Sequence, residues 1–269
     1  LQKNTQFRMS YSTGFRAPQA FDADLHIAFA GGGISVIELS DDLKEERSKS
    51  FSSSINYDNS SSDYIYGFTI EGFYTRLDDA FYQDPNGSDD FGNKFIKRNG
   101  DGATVQGLTM EFRANYNQKV QIESGFTIQN SLYDNAVSYS DELESKREFL
   151  RTPNNYGYTT IDLTPSDKFN ISASLLHTGA MELVHMGGSP EQDEDEYLTS
   201  NVFNTIGLKA TYIQKVERVG LSLEYSFGVK NLTNDYQKDF DIGKERDSNF
   251  IYGPSVPRTF YVGLVMKSL

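Results

Sequence analysis

Chemistry in a protein starts from side chains that can ligate, donate protons or attack, and this chain of 269 residues offers few arrangements of them. It has three histidines, His26, His177 and His185, and no cysteine. A nitrogen–sulfur metal site needs three or four such groups at short, fixed spacings. These histidines share none, so they read as solvated or packing residues, with His177 at an interfacial strand end. The acidic run of residues 191–196 offers oxygen ligands, and Asp193, Glu194, Asp195 and Glu196 form a weak Ca²⁺ candidate. The plainer expectation is a solvated acidic loop, as for Asp78, Asp79, Asp89 and Asp90. Gly31–Gly33 has no following Lys-Ser/Thr and no strand–helix frame, so it is not a phosphate loop. Serine, histidine and aspartate all occur, but without a nucleophile elbow. No catalytic residue and no resident cofactor is expected, and the chain does not read as an enzyme.

What the sequence does carry is period-two alternation. Along VQGLTMEFRANY, residues 105–116, Leu108, Met110, Phe112, Ala114 and Tyr116 share one parity. Gly107, Thr109, Glu111, Arg113 and Asn115 take the other. After the turn NQK, residues 120–129 repeat the pattern, with Ile122, Phe126 and Ile128 opposite Gln121, Glu123, Gly125 and Thr127. Alternation of this kind marks extended strands with two unlike faces, joined here as an antiparallel hairpin. Similar runs occur near residues 6–13, 47–58, 64–75, 154–163, 169–177, 203–213, 221–229 and 260–266, making about ten strands.

The connections alternate between long and short. In an up-and-down sheet, alternate links lie at opposite ends, so all the long acidic links share one end. Outer-membrane barrels sort their loops this way. Tyr57, Tyr64, Tyr66, Tyr74, Tyr116, Tyr212 and Tyr225 fall near strand ends on the apolar parity, where an interfacial girdle belongs. The expected fold is therefore all-β: an antiparallel transmembrane barrel segment whose apolar parity meets outer-membrane lipid. Glu71, Glu111, Arg113, Glu123, Lys209, Glu224 and Lys230 fall on the opposite, lumen-facing parity. Net charge is −13, and no basic stripe for nucleic acid is present. No apolar run reaches the length of a membrane helix. The opening LQKNTQFRMSYS has no signal-peptide core, and it reads as a cut end.

Four stretches resemble the TonB-dependent outer-membrane receptor family. SYSTGFRAP (residues 10–18) is similar to a strand-end motif of that family. FIKRNGDGATVQGLTMEF (95–112) is similar to its glycine-before-strand stretch. GVKNLTNDY (228–236) and GPSVPRTFYVGLVM (253–266) resemble its penultimate-strand signature and closing strand. The resemblance implies a 22-stranded barrel plugged by an N-terminal domain, with residues 1–269 supplying the C-terminal strands. It implies import of a scarce small nutrient, such as a ferric siderophore, haem, cobalamin or an oligosaccharide, with energy from the TonB complex through that plug. The plug, the TonB-contacting box and an export signal are not in this sequence. The closing aromatic of the family would fall one residue after Leu269. Contact with ligand is expected from long-loop side chains: Phe81, Tyr82, Phe91, Arg98, Tyr139 and His185. The competing expectations are a passive porin-like channel and a soluble or surface β scaffold for adhesion.

Overall fold

In the computed structural model, residues 3–19, 36–89, 92–188, 192–243, 247 and 250–268 are described. The strands in chain order are β1 (Thr5–Arg16), β2 (Val36–Leu39), β3 (Glu46–Ser60), β4 (Tyr64–Asp78), β5 (Phe81–Asp89), β6 (Gly92–Asn99), β7 (Gly102–Tyr116) and β8 (Val120–Val137). They continue with β9 (Lys146–Glu148), β10 (Asn155–Ser166), β11 (Phe169–Thr178), β12 (Glu182–His185), β13 (Glu196–Thr199), β14 (Phe203–Val216), β15 (Leu221–Lys230) and β16 (Thr259–Ser268). The main sheet runs β1-β3-β4-β7-β8-β10-β11-β14-β15-β16, every neighbour antiparallel and sequential, with β9 added to the end of β8. Its path does not return on itself, so β1 and β16 are its edges.

The ten strands expected from alternation are those of this path. Several are longer than the pattern suggested, β8 by eight residues beyond Gln129. The long links carry short strands of their own. β5 and β6 form a hairpin that β2 extends in parallel, and β12 pairs with β13. These short strands alternate weakly because polar residues serve both faces, so a period-two search passes over them.

Register keeps each row of side chains on one face of the sheet. Tyr66, Ala114, Ile122, Ile161, Ala173, Leu208, Val229 and Phe260 lie in one line across eight strands. A one-residue slip anywhere would turn that strand's apolar set to the other face. The short turns fix the register. At the β7–β8 turn Asn117 and Gln118 both take positive φ (49° and 57°), and the Lys119 N–H donates to the Tyr116 carbonyl at 2.8 Å. Positive φ at both central residues marks a primed turn, whose twist suits a hairpin, and Lys119 completes the link to Val120.

Among the described residues no second layer covers the apolar face. Met110, Phe112 and Phe227 are 41%, 45% and 61% exposed. The buried apolar side chains gather instead near the long-loop end, among them Phe81, Ala103, Val137, Leu183, Phe203 and Phe250. Aromatic rings bound the exposed face. At the short-turn end Tyr64 stacks on Tyr116 (4.8 Å), Tyr57 on Phe68 (5.5 Å) and Tyr212 on Tyr225 (6.3 Å). At the other end Tyr11, Phe51 and Tyr74 stand in one row. Tyr64 and Tyr74 are separated by about 33 Å of strand at ~3.3 Å per residue, or about 25 Å of height at a ~40° tilt, the height of a barrel's apolar band. Two residues past Tyr74 the same face turns ionic. Arg76 pairs with Asp134 at 2.5 Å and Asp78 at 3.4 Å, and Lys49 reaches Asp78 at 2.7 Å.

Met110→Arg, in the middle of this band, is expected to cost about 2–4 kcal/mol in a lipid-embedded full-length barrel. Glu111→Arg, one residue along on the other face, is expected to cost far less. Denaturant unfolding in vesicles measures both, and equal costs would refute two unlike solvents.

Candidate functional site

The face opposite the aromatic band is hydrogen-bonded side chain to side chain. Register places Glu71, Glu111, Arg113, Glu123, Lys209, Glu224 and Lys230 on it. Arg113 reaches across the sheet to β3 because Gly67, its neighbour in the row, has no side chain. Its Nη2 donates to Asp58 Oδ1 (2.5 Å) and Asn56 Oδ1 (2.7 Å), and its Nη1 donates to Thr69 (3.3 Å). Around it lie hydroxyl pairs: Ser10 with Ser52 (2.8 Å), Ser50 with Thr75 (2.9 Å) and Thr109 with Thr127 (3.0 Å). Lys267 pairs with Glu224 at 2.9 Å, and the Lys230 ammonium lies 5.9 Å from the Tyr261 ring centre. Gly107 leaves room for the Phe73 ring, whose Cζ lies 2.6 Å from where a Cβ would stand. Arg113 and Asp58 are 39% and 51% exposed, so their pair contributes little to stability. This surface offers many weak polar partners rather than one reactive centre.

The long connections carry the charge. Residues 17–45, 78–101, 134–154, 179–202 and 231–258 hold 28 of the 38 acidic residues and 11 of the 25 basic ones. They therefore sum to −17, and the rest of the chain to +4.

The side chains expected to contact ligand fall into different environments. Phe81 is buried, with the Arg16 guanidinium 4.8 Å and the Lys97 ammonium 5.0 Å from its ring centre. Its N–H donates to Glu46 at 2.9 Å, and the Tyr133 hydroxyl donates to its carbonyl at 3.2 Å. It therefore anchors the β5–β6 hairpin. Tyr82 and Arg98 are register partners on that hairpin, both half-buried. Arg98 donates to Asp84 at 3.1 Å, and burial raises the Tyr82 phenol above its ordinary range. The Tyr139 hydroxyl donates to the Glu148 carbonyl at 2.7 Å, and burial holds that phenol well above the usual value. Phe91 lies outside the described residues.

His185 is buried on β12. Its Nε2 lies 3.0 and 3.1 Å from the two Asp241 oxygens, and its ring stacks on Phe250 at 3.7 Å with 5° between planes. Met181, Leu183 and His185 share one parity, and that signal marks a small buried face. Met181, Leu183 and Phe250 form a cluster, flanked by Leu198 and Tyr252. Both Tyr252 and Phe250 fall in a stretch whose sequence alone gives no period.

Asp195 is held by its neighbours. Its carboxylate accepts from the Gly187 N–H at 2.7 Å and from the Ser140 hydroxyl. Glu196 lies 4.0 Å from His185, and Asp193 and Glu194 are exposed. Among the described residues no three acidic or imidazole groups come together in a way that could hold a metal ion. His177 bonds Asn155 and Asn204 (both 2.8 Å) and packs 5.8 Å from Phe126. His26 lies outside the described residues.

The penultimate-strand signature is explained by Asn231, which takes φ = 50° and is buried. Its Nδ2 donates to the carbonyls of Asp235 (3.1 Å) and Val256 (2.9 Å), while its Oδ1 accepts from Thr233 and the Asp235 N–H at 3.0 Å each. Arg258 completes the clamp by donating to the Leu232 carbonyl at 2.8 Å.

With this geometry in place, comparison with known proteins gives one family. Residues 1–234 match the family described as TonB dependent receptor-like, beta-barrel, and the chain belongs to it. A search of curated protein sequences finds no match. Among solved structures, the chain is similar to the FrpB iron transporter from Neisseria meningitidis, with 14% identity and a TM-score of 0.61. The match covers 99% of this chain and 37% of that one. It is also similar to the ferric-catecholate import receptor Fiu from E. coli K12, with 17% identity, a TM-score of 0.62 and coverage of 99% and 33%. The copper transporter OprC gives 13% identity, a TM-score of 0.64 and coverage of 98% and 37%. The chain thus spans roughly a third of the length of these proteins, and at such identity the likeness is one of fold.

One loop contact carries a pH prediction. Lys146 Nζ lies 2.7 Å from Glu182 Oε2, and that hydrogen bond holds the Glu182 carboxyl below its ordinary value of 4.5. A depressed carboxyl contributes stability above its unfolded pKa and loses it as pH falls through the folded one. Amide protection of β12 in the full-length protein is therefore expected to be level near neutrality and to fall once pH drops below about 4.5. Lys146→Met should flatten that acid limb; an unchanged limb would remove this contact as its cause.

Proposed function

We propose that this chain is the C-terminal wall of an outer-membrane importer of the TonB-dependent type. Its apolar face meets lipid and its Arg113-centred face lines the lumen. The observation that carries the proposal is the family match over residues 1–234, on a sheet whose unpacked apolar band has a bilayer's height. The backbone edges at β1 and β16 require partners within hydrocarbon. Further strands of the same barrel would supply them. In this reading a plug domain fills the lumen, binds the polar wall and receives energy from TonB. The residues described here supply wall and loops, not energy coupling, and no catalytic step.

The cargo is a small, scarce nutrient, and a metal chelate is favoured because structures of similar fold are named as iron, ferric-catecholate and copper transporters. On the loops, Tyr82, Arg98 and Tyr139 are proposed to meet it. Phe81 and His185 are proposed to act only through loop structure, since both are buried.

Uptake by the full-length receptor in cells is expected to stop when the proton gradient is collapsed or TonB is removed. Uptake that continues by diffusion would identify a passive channel instead. Alanine at Arg98 and Tyr82 together is expected to weaken ligand binding by about tenfold or more, the loss of one charged and one aromatic contact. Binding that is unchanged in an equilibrium titration would remove both residues from the ligand surface.

A further inference from the structure

Five long connections leave one end of the sheet, but three of them are stitched to one another. We propose that residues 138–154, 179–202 and 231–258, in their described parts, work as a single lid rather than as three independent loops. The first and second are joined by Lys146–Glu182 (2.7 Å), by the Arg151 N–H donating to the Glu182 carbonyl (2.7 Å) and by the Tyr197 hydroxyl donating to the Glu144 carbonyl (2.7 Å). The Lys146 ammonium also sits 4.1 Å from the Tyr197 ring centre, and Ser140 donates to Asp195. The second and third are joined by His185. Its Nε2 engages both Asp241 oxygens, and its ring lies flat on Phe250. Beside it the Met186 N–H donates to Asp247 at 3.1 Å, and the apolar cluster of Met181, Leu183 and Phe250 draws one side from each connection. The first and third meet directly, where Arg151 donates to the Ile251 carbonyl.

These contacts differ in kind from those of an exposed loop. His185 and the Asp241 side chain are 8% and 7% exposed, so their link is shielded from solvent and salt. Opening the second or third connection would strip the apolar cluster and the buried Asp241 carboxylate of their partners. Opening the first would break the Lys146–Glu182 pair and the hydrogen bonds of Arg151 and Tyr197 together. Three segments that can open only together share one opening equilibrium. The described parts of the 17–45 and 79–101 connections are joined through the sheet β2-β6-β5. Among the described residues that sheet meets the first connection only near its foot, where Asn135 donates to Asp101 and the Tyr133 hydroxyl donates to the Phe81 carbonyl at 3.2 Å. The device that follows is a two-part rim: one block built on β2-β6-β5, and one lid pinned by His185. Movement over a ligand would be movement of the lid as a body.

Hydrogen exchange read by mass spectrometry on the full-length receptor tests this, using three variants that cut different links: Asp241→Asn, His185→Leu and Glu182→Gln. A shared opening requires the amides of all three connections to accelerate by the same factor, about tenfold or more, whichever link is cut, while 79–101 keeps its rate. Acceleration confined to the connections that flank the substituted residue would overturn the proposal. Should His185→Leu disturb the wall strands as well, the two isosteric variants still decide the question.

Discussion

A β-strand hands its odd and even residues to opposite sides, and that constraint governs this molecule. Once the backbone groups are paired along a ten-strand path, side chains alone choose the surroundings. Here one parity is aliphatic and aromatic over about 25 Å of height. The other is serine, threonine, arginine and glutamate in mutual hydrogen bonds. No second layer of the described chain covers the apolar side. On the proposed reading the sheet is a wall between two solvents rather than half of a protein core.

The remaining features follow from having such a wall. Short turns need only reverse the chain, and the turn with positive φ at Asn117 and Gln118 does so in the three residues between Tyr116 and Val120. The long connections leave the band past Tyr74, where Arg76, Asp78, Asp134 and Lys49 replace aromatic rings on the same face. Beyond that line some apolar residues find protein partners. Phe81, Leu183 and Phe250 are buried, although they sit within the most polar stretches of the chain. The apolar side chains of the band are exposed, while those that are buried lie mainly in and beside the loops, where others such as Phe240 and Ile242 stay exposed.

That contrast decides what could be read in the sequence. The strands of the wall were legible because each spends many residues between the same two environments, and ten repetitions leave little ambiguity. The alternation of long and short links then fixed which ends go together. The loop architecture was not legible. Phe81 and His185 stand in polar runs, where an aromatic or imidazole suggests ligand contact; their burial depends on Lys97, Arg16, Asp241 and Phe250, distant in sequence. Parity along Met181, Leu183 and His185 was the available signal, but four residues are too few to separate a buried strand from chance. The signature at Asn231 was recognisable as a family feature. Its physical cause, an asparagine at positive φ satisfying four partners, required coordinates.

The central claim is that hydrocarbon lies against one parity and water against the other. The most direct test is a spin-label scan of residues 108–113 on β7 in the full-length receptor embedded in a bilayer. Collision with oxygen, which dissolves in lipid, should peak at Leu108, Met110 and Phe112. Collision with a water-soluble nickel chelate should favour Thr109, Glu111 and Arg113, or fall at those three where a plug shields them. A scan without a period of two in oxygen collision, or with oxygen peaking at the polar positions, would contradict the account.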